Sequence, residues 1–353
     1  MVRRPIRSLV AILAAVSTLA LNGCVSFGPS TIPRDRFDYV STISDSWKSQ
    51  MLLNIVKLRY ADTPAFLDVG SVISQYEFAG ELSAGLGWGL PEPGSDSQSL
   101  GGTGRYVERP TITYTPIAGA KFTQSLMTPV PPSAVLFLLQ AGYPVRLVFG
   151  LCVRTINDLD NRSVDPVWSR AADPEFERLV DVLERIQREG GIAMRVERRD
   201  DGDATVMGLR RQRVRKEDVS EVARLLGIDP AAPEYRVTYG AVARSNREIA
   251  IQTRSIFEIM VELSARVQAP PEHLRKGYVS AVDTAGAGVP FRVRSGTSKP
   301  SDAYSAVRYL DHWFWIDQND ESSKVDFVFL MLLFSLVETR EGQTAPIVTV
   351  PVS

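Results

Sequence analysis

The chain has 353 residues, 44% of them hydrophobic, with 40 basic and 41 acidic side chains and a formal charge of −1. That balance excludes the positive excess of a nucleic-acid-binding surface and the charge-rich, apolar-poor composition of a disordered chain. The apolar content suffices to bury the core of one large domain or two modest ones.

The leading residues, "MVRRPIRSLVAILAAVSTLALNGC", place Arg3, Arg4 and Arg7 before an apolar run from Leu9 to Leu21 that only Ser17 and Thr18 interrupt. A basic segment followed by a greasy one too short for a comfortable membrane span is the pattern of a secretory signal peptide. Its last four residues, Leu21-Asn22-Gly23-Cys24, resemble the lipobox of bacterial lipoproteins, and the resemblance covers only this leader. It implies that the Cys24 thiol receives a diacylglycerol and that the chain is cut between Gly23 and Cys24. The new amine is then usually acylated too, with palmitate among the expected chains. Each buried methylene contributes about 0.8 kcal/mol, so two or more chains anchor firmly where one holds marginally. Val25 and Ser26 follow the cysteine, where an aspartate would favour inner-membrane retention. The resemblance therefore implies an outer-membrane lipoprotein facing the periplasm. With residues 1–23 removed as signal peptide, the formal charge becomes −4. Residues 24–40, with Pro29 and Pro33, read as an extended, lipidated tether.

Once Cys24 is acylated, Cys152 has no partner in the chain, and its setting in "RLVFGLCVRTI" reads as a buried, inert thiol. An N-terminal α+β region is expected over 41–165. Trp47, Met51, Ile55 and Leu58 make one stripe of a helix from Ser44 to Tyr60, which Pro64 ends. Gln75–Leu90 then alternates with a period of two. Tyr76, Phe78, Leu82, Ala84, Leu86 and Trp88 fall in one set, with Glu77, Glu81 and Ser83 in the other. "PEPGSDSQSLGGTG" reads as a loop tip, and "RYVERPTITYTPI" as a return strand whose Pro110 argues for an edge position. The result is a long hairpin over 75–117. Pro131–Gly142 reads as a short helix, and Val145–Ile156 as an interior strand.

A helix–hairpin–helix unit is expected over 166–230. Asp173 caps a helix striped by Phe176, Leu179, Val180, Leu183 and Ile186. A hairpin turning at Asp201-Gly202 follows, and then a helix from Lys216 to Leu226. A C-terminal α+β region over 231–353 holds strands near 235–239 and 248–252 and a helix with a Ser255/Glu258 capping box. "PFRVRS" and "SAVRYLDHWFWID" read as strands, and "ESSKVDFVFLMLLFSLVE" as a helix buried nearly all round and capped by Ser322 or Ser323. "APIVTVPV" reads as a last strand. The fold class is α+β, with a mixed, mainly antiparallel sheet and amphipathic helices.

Signals of chemistry are few. His273 in "PPEHLRKG" reads as part of a polar loop or short turn and His312 in "YLDHWFWID" as a packed or half-exposed ring; neither has the spacing of a zinc site. There is no GxSxG or SxxK, so a periplasmic hydrolase needs a cleft that joins a histidine to a serine and a carboxylate in space. Acidic "DDGD" reads as turn chemistry and "DQNDESS" as a helix cap. Arg195, Arg198, Arg199, Arg210, Arg211, Arg213 and Arg215 are interleaved with acids and read as ion-paired strand faces, the alternative being a patch for anionic polymers or lipid headgroups. The hairpin stands out: from Gln75 to Leu90 it lacks lysine and arginine and resembles a strand of a transmembrane β-barrel. One hairpin cannot close a barrel, so that role needs several protomers. The expectation is a non-catalytic interaction or assembly component, without cofactor, metal or nucleic acid. Its partners are membrane lipid through Cys24 and other envelope proteins, with a homo-oligomer left open.

Overall fold

The computed structural model describes residues 27–73, 76–87, 97–109, 111–117, 120–164, 169–199, 202–282 and 290–338. The chain divides into two compact units, Met1–Lys48 and Ser49–Ser353. Cys24, the expected signal peptide and the expected C-terminal strand lie outside the described residues.

Helix α1 runs Phe27–Arg59, so the expected tether is helical from Phe27 and the expected helix starts well before Ser44. Pro29 lies in the first turn, whose N–H groups have no intrahelical acceptor, whereas Pro33, the seventh residue, has no N–H to give to the turn before it. From Arg34 to Arg59 no glycine or proline interrupts the run. Within the second unit, Met51, Leu52, Ile55, Val56 and Leu58 are buried, a wider stripe than the sequence pattern alone marked.

Four strands follow. β1 (Phe66–Ile73) pairs antiparallel with β4 (Thr111–Ile117), and β2 (Tyr76–Gly87) with β3 (Ser97–Glu108). Strand structure thus starts at Phe66, before the expected hairpin. It also includes Ser97–Gly104, where turn-rich composition predicted a loop; twelve consecutive cross-strand pairs supply the order that composition alone does not. Pro110 lies outside the described residues.

After α2 (Ala120–Met127), α3 (Pro132–Gln140) ends as expected, with Gly142 at φ +96°, a conformation glycine adopts freely. The next segment differs from expectation. Val145–Cys152 is helix α4, and only Val153–Ile156 is strand, β5. A short, wholly apolar run does not distinguish helix from buried strand by period. The direct switch from helix to strand frees the last helical carbonyls, and distant side chains satisfy them. Asn161 Nδ2 lies 3.1 Å from Phe149 O, 3.3 Å from Gly150 O and 2.7 Å from Val153 O. Arg254 Nη1 donates to Gly150 O at 2.9 Å and to Leu151 O at 3.2 Å, and Nη2 donates to Arg162 O. Orphan carbonyls at a helix end need such donors.

β5 joins a six-stranded sheet of order β6-β5-β12-β11-β10-β9, built from β6 (Leu159–Asp160), β9 (Ile192–Arg199), β10 (Gly202–Leu209), β11 (Glu234–Tyr239) and β12 (Glu248–Thr253). Of its pairs only β11–β12 is parallel, which bears out the mixed, mainly antiparallel α+β architecture. β7 (Ser163–Val164) and β8 (Ser169–Arg170) form a small separate ladder. Helices α5 (Pro174–Arg188) and α6 (Lys216–Leu226) pack together, and α3 lies against β9, β11 and β12. The helix–hairpin–helix segment thus shares its sheet with the strands that follow it. Its hairpin pairs Arg199 with Gly202, so Gly202 belongs to the strand, and Asp201 of the expected turn lies outside the described residues. Asp173 holds the cap position of α5, but its carboxylate accepts from Asp160 N–H at 2.7 Å instead of capping. Ser255 and Glu258 form the expected capping box of α7 (Ile256–Ser264).

The last elements are α8 (Pro271–Lys276), β13 (Arg294–Gly296), β14 (Ala303–Tyr309), β15 (His312–Asp317) and α9 (Glu321–Glu338), with sheet order β13-β15-β14. "SAVRYLDHWFWID" is a hairpin, turned by Leu310 and Asp311 at φ 44° and 64°. α9 is capped by Asp320, which accepts from Ser323 N–H at 3.1 Å, rather than by a serine. It is amphipathic, not buried all round: Glu321, Val325, Val328 and Ser335 are exposed along one stripe.

Cys152 is fully buried, and burial pushes its thiol up to about 12. A thiolate is the reactive form. Iodoacetamide at pH 8 is therefore expected to leave Cys152 unmodified in the folded protein and to label it in urea, as read by intact mass. Labelling at equal rates in both would mean that the α4–β5 junction opens readily.

Candidate functional site

Of the residues singled out in the sequence, the hairpin set falls on the β2–β3 ladder. Its register places Tyr76 opposite Glu108, Phe78 opposite Tyr106, Leu82 opposite Gly102, Ala84 opposite Leu100 and Leu86 opposite Gln98. The other set places Glu77 opposite Val107, Glu81 opposite Thr103 and Ser83 opposite Gly101. Directly opposed residues of antiparallel strands share a face. The pairing adds Tyr106 and Leu100 to the apolar set but also Glu108 and Gln98, and it sets Val107 with the threonine and glycine of the polar one. Trp88, like Gly23 and Cys24, lies outside the described residues.

The β1–β4 ladder is also two-stranded. β4 is exposed at every position from Thr111 to Pro116, and Leu67, Ile112 and Tyr114 are 46%, 42% and 57% exposed. A two-stranded sheet is marginal by itself in water, and its edges present unpaired N–H and C=O groups. One end is fastened. Gln50 and Asn54, one turn apart on α1, each bond both backbone groups of one residue. Gln50 takes Leu67, at 3.0 and 2.8 Å, and Asn54 takes Ala65, at 2.8 and 3.0 Å. Phe66 also packs its ring 4.9 Å from that of Phe334 on α9. The side-chain amides of the helix thus stand in for a neighbouring strand, a role no sequence pattern announces.

The chain's two histidines, apart in sequence, meet in the structure. Their ring centroids are 4.6 Å apart, edge to face. His273 is buried on the short helix α8, where a polar loop or short turn was expected; Pro271 opens that helix and Gly277 at φ 72° closes it. Its Nδ1 lies 2.7 Å from the hydroxyl of Tyr60, just past the end of α1. Tyr309 Oη donates to Asp62 Oδ2 at 3.1 Å, and its ring lies 5.3 Å from that of Tyr60. Burial pushes Tyr60 up to about 12, as does burial reinforced by Asp62 for Tyr309. Burial, with His312 beside it, lowers His273. The Tyr60 hydroxyl and His273 Nδ1 share one hydrogen bond, whose donor is set by the tautomer of the ring.

Among the described residues neither histidine bonds a serine; His312 Nδ1 lies 3.4 Å from Leu310 O. No group of three or more His, Cys, Asp or Glu among them is placed to hold a metal ion. Of the arginine cluster, Arg195 pairs with Glu197 and Glu234, and Arg215 with Asp218 at 2.9 Å. Arg211 donates to Pro230 O and Ala232 O, both at 2.6 Å. These arginines are spent on internal partners. No described helix is long and apolar enough to cross a membrane. Compared with known proteins, the chain matches no family model, no curated protein and no solved structure.

Proposed function

We propose that the protein is a lipid-anchored component of the bacterial envelope, held at the outer membrane through acylated Cys24, facing the periplasm and acting in interaction or assembly rather than catalysis. The address rests on the lipobox-like Leu21–Cys24. The observation that carries the role is the pair of two-stranded ladders. No third strand joins either one among the described residues, and β4 is exposed along six consecutive positions. Such a ribbon has edges to offer an incoming strand and apolar side chains for a partner to cover. Its partners on this reading are other envelope proteins or further copies of the chain.

A second reading, in which several protomers pool their hairpins into one barrel, draws on the β2–β3 register. Twelve paired residues span about 40 Å at 3.3 Å each. A membrane-crossing strand needs only about 9–11 residues.

One experiment separates the two. The chain is expressed with Cys24→Ala and its export signal intact, then fractionated and sized. A soluble periplasmic species is expected, with partner capture in the lipidated protein lost when residues 85–104 are deleted. Retention in the membrane as an oligomer, released by that deletion, would replace this reading with the shared barrel. Partner capture unaffected by the deletion would sink the role of the β2–β3 ladder and leave only β1–β4 to meet a partner.

A further inference from the structure

A cleft of about 1010 Å³ opens where four arginines from separate parts of the chain converge. Arg59 is the last residue of α1, Arg266 lies just past α7, and Arg292 and Arg294 alternate on the strand that becomes β13. A parallel bridge between Val267 and Val293 fixes the second and third of these segments side by side. Gln268 N–H donates to Val293 O at 2.8 Å, and Val293 N–H to Arg266 O at 3.3 Å. Leu274 and Phe291 add apolar wall.

Acids answer only part of this charge. Asp317 lies 3.2 Å from Arg294, Glu262 lies 4.0 Å from Arg266, and Asp326 also attracts Arg266. No carboxylate among the described residues pairs with Arg59 or Arg292. Arg59 is 6% exposed, its Nη2 donates to Ser280 O, and its Nε has no partner among the described residues. Burial lowers its pKa, and burial with Arg162 nearby pushes Arg266 down to about 10. A buried cation without a counter-ion is costly, and an anion in the cleft would relieve that cost.

We propose that this cleft binds an organic oxyanion, a phosphate or carboxylate group carried on an apolar body. The planar guanidinium fork matches both groups through paired hydrogen bonds, which a spherical anion cannot accept in the same way. The apolar wall and the cleft's volume leave room for more than the charged head. The ribbon's role and the lipid anchor are independent of this site.

Titration calorimetry on the full chain in non-ionic detergent tests it, with hexyl phosphate, hexanoate, inorganic phosphate and uncharged hexyl glucoside as probes. Hexyl phosphate or hexanoate is expected to saturate one site, and hexyl glucoside to give no saturable heat. Arg292→Gln, at an exposed side chain without an ion partner, is expected to weaken binding about tenfold. Its unfolding midpoint should stay in place, and Arg59→Gln should weaken binding further. Absence of saturable binding by both hexyl anions, or binding that survives Arg292→Gln unchanged, would overturn the site. Inorganic phosphate binding as tightly as hexyl phosphate would overturn the apolar part and assign the cleft to a free oxyanion.

Discussion

Arg254→Leu is expected to destabilise the protein by about 3–5 kcal/mol, the range for removing one partner from a buried charged network. The Arg254 guanidinium is almost wholly buried, and burial lowers its pKa, yet an arginine stays protonated. It gives hydrogen bonds to Gly150 O, Leu151 O and Arg162 O, while its own N–H reaches Cys152 O at 2.7 Å. Leucine would fill much of the space and spare the desolvation of a charge. It would also take the Arg254 donors from Leu151 O and Arg162 O and leave Gly150 O to Asn161 alone, at about 1–3 kcal/mol for each stranded group. The stranded carbonyls outweigh the saved desolvation, because α4 passes into β5 without a loop that could turn them outward. Urea unfolding followed by circular dichroism measures the effect. A midpoint equal to that of the wild type would mean that Asn161, which bonds the same turn, is sufficient alone.

Asp326→Asn is expected to act in the opposite direction and to depend on pH. Asp326 sits on α9 at 4% exposure, with Oδ2 lacking a hydrogen bond among the described residues. Burial pushes its carboxyl up to about 7, Arg266 opposing the rise and Asp320 adding to it. Between the unfolded value near 4 and the folded value, the folded state binds the proton and the unfolded state does not. Its contribution is therefore most favourable below about pH 4, is lost progressively up to pH 7, and stays lost above. Asparagine has the same shape without the charge. The variant should be more stable by about 2–4 kcal/mol at pH 8 and differ little at pH 3.5, as read from urea midpoints. His273, lowered by burial, works with the other sign below about pH 6.5, but it titrates alike in both proteins and cancels from the difference. Equal gains at both pH values would show that the effect comes from packing and not from the buried charge.

Local signals in the sequence were dependable where one residue type answers one backbone need. Ser255 with Glu258 closes a capping box, and Gly142 and Gly227 stand at positive φ after helices. The stripe of Phe176, Leu179, Val180, Leu183 and Ile186 is buried as its spacing requires. The same logic was insufficient at Val145–Cys152, where an apolar stretch buried on every side carries no period, and at Ser97–Gly104, whose glycines and serines read as a turn. There the partner strand supplies the order. The clamp of Gln50 and Asn54 on the ribbon was invisible for a related reason, since an amide on a helix looks solvated until the strand it bonds is known.

By itself the sequence determined the α+β class, the ends of α3, α5 and α6 and the alternation of the hairpin, while the lipidated leader is its expectation. Each depends on residues within about one turn or one strand of each other. Only the tertiary structure brought His273 to His312, set Arg254 under α4, and gathered Arg59, Arg266, Arg292 and Arg294 around one cleft. These groupings join residues dozens to hundreds of positions apart, and no local propensity encodes such a distance. The packing of the sheets and helices decides it, along with the need of every buried polar group for a partner.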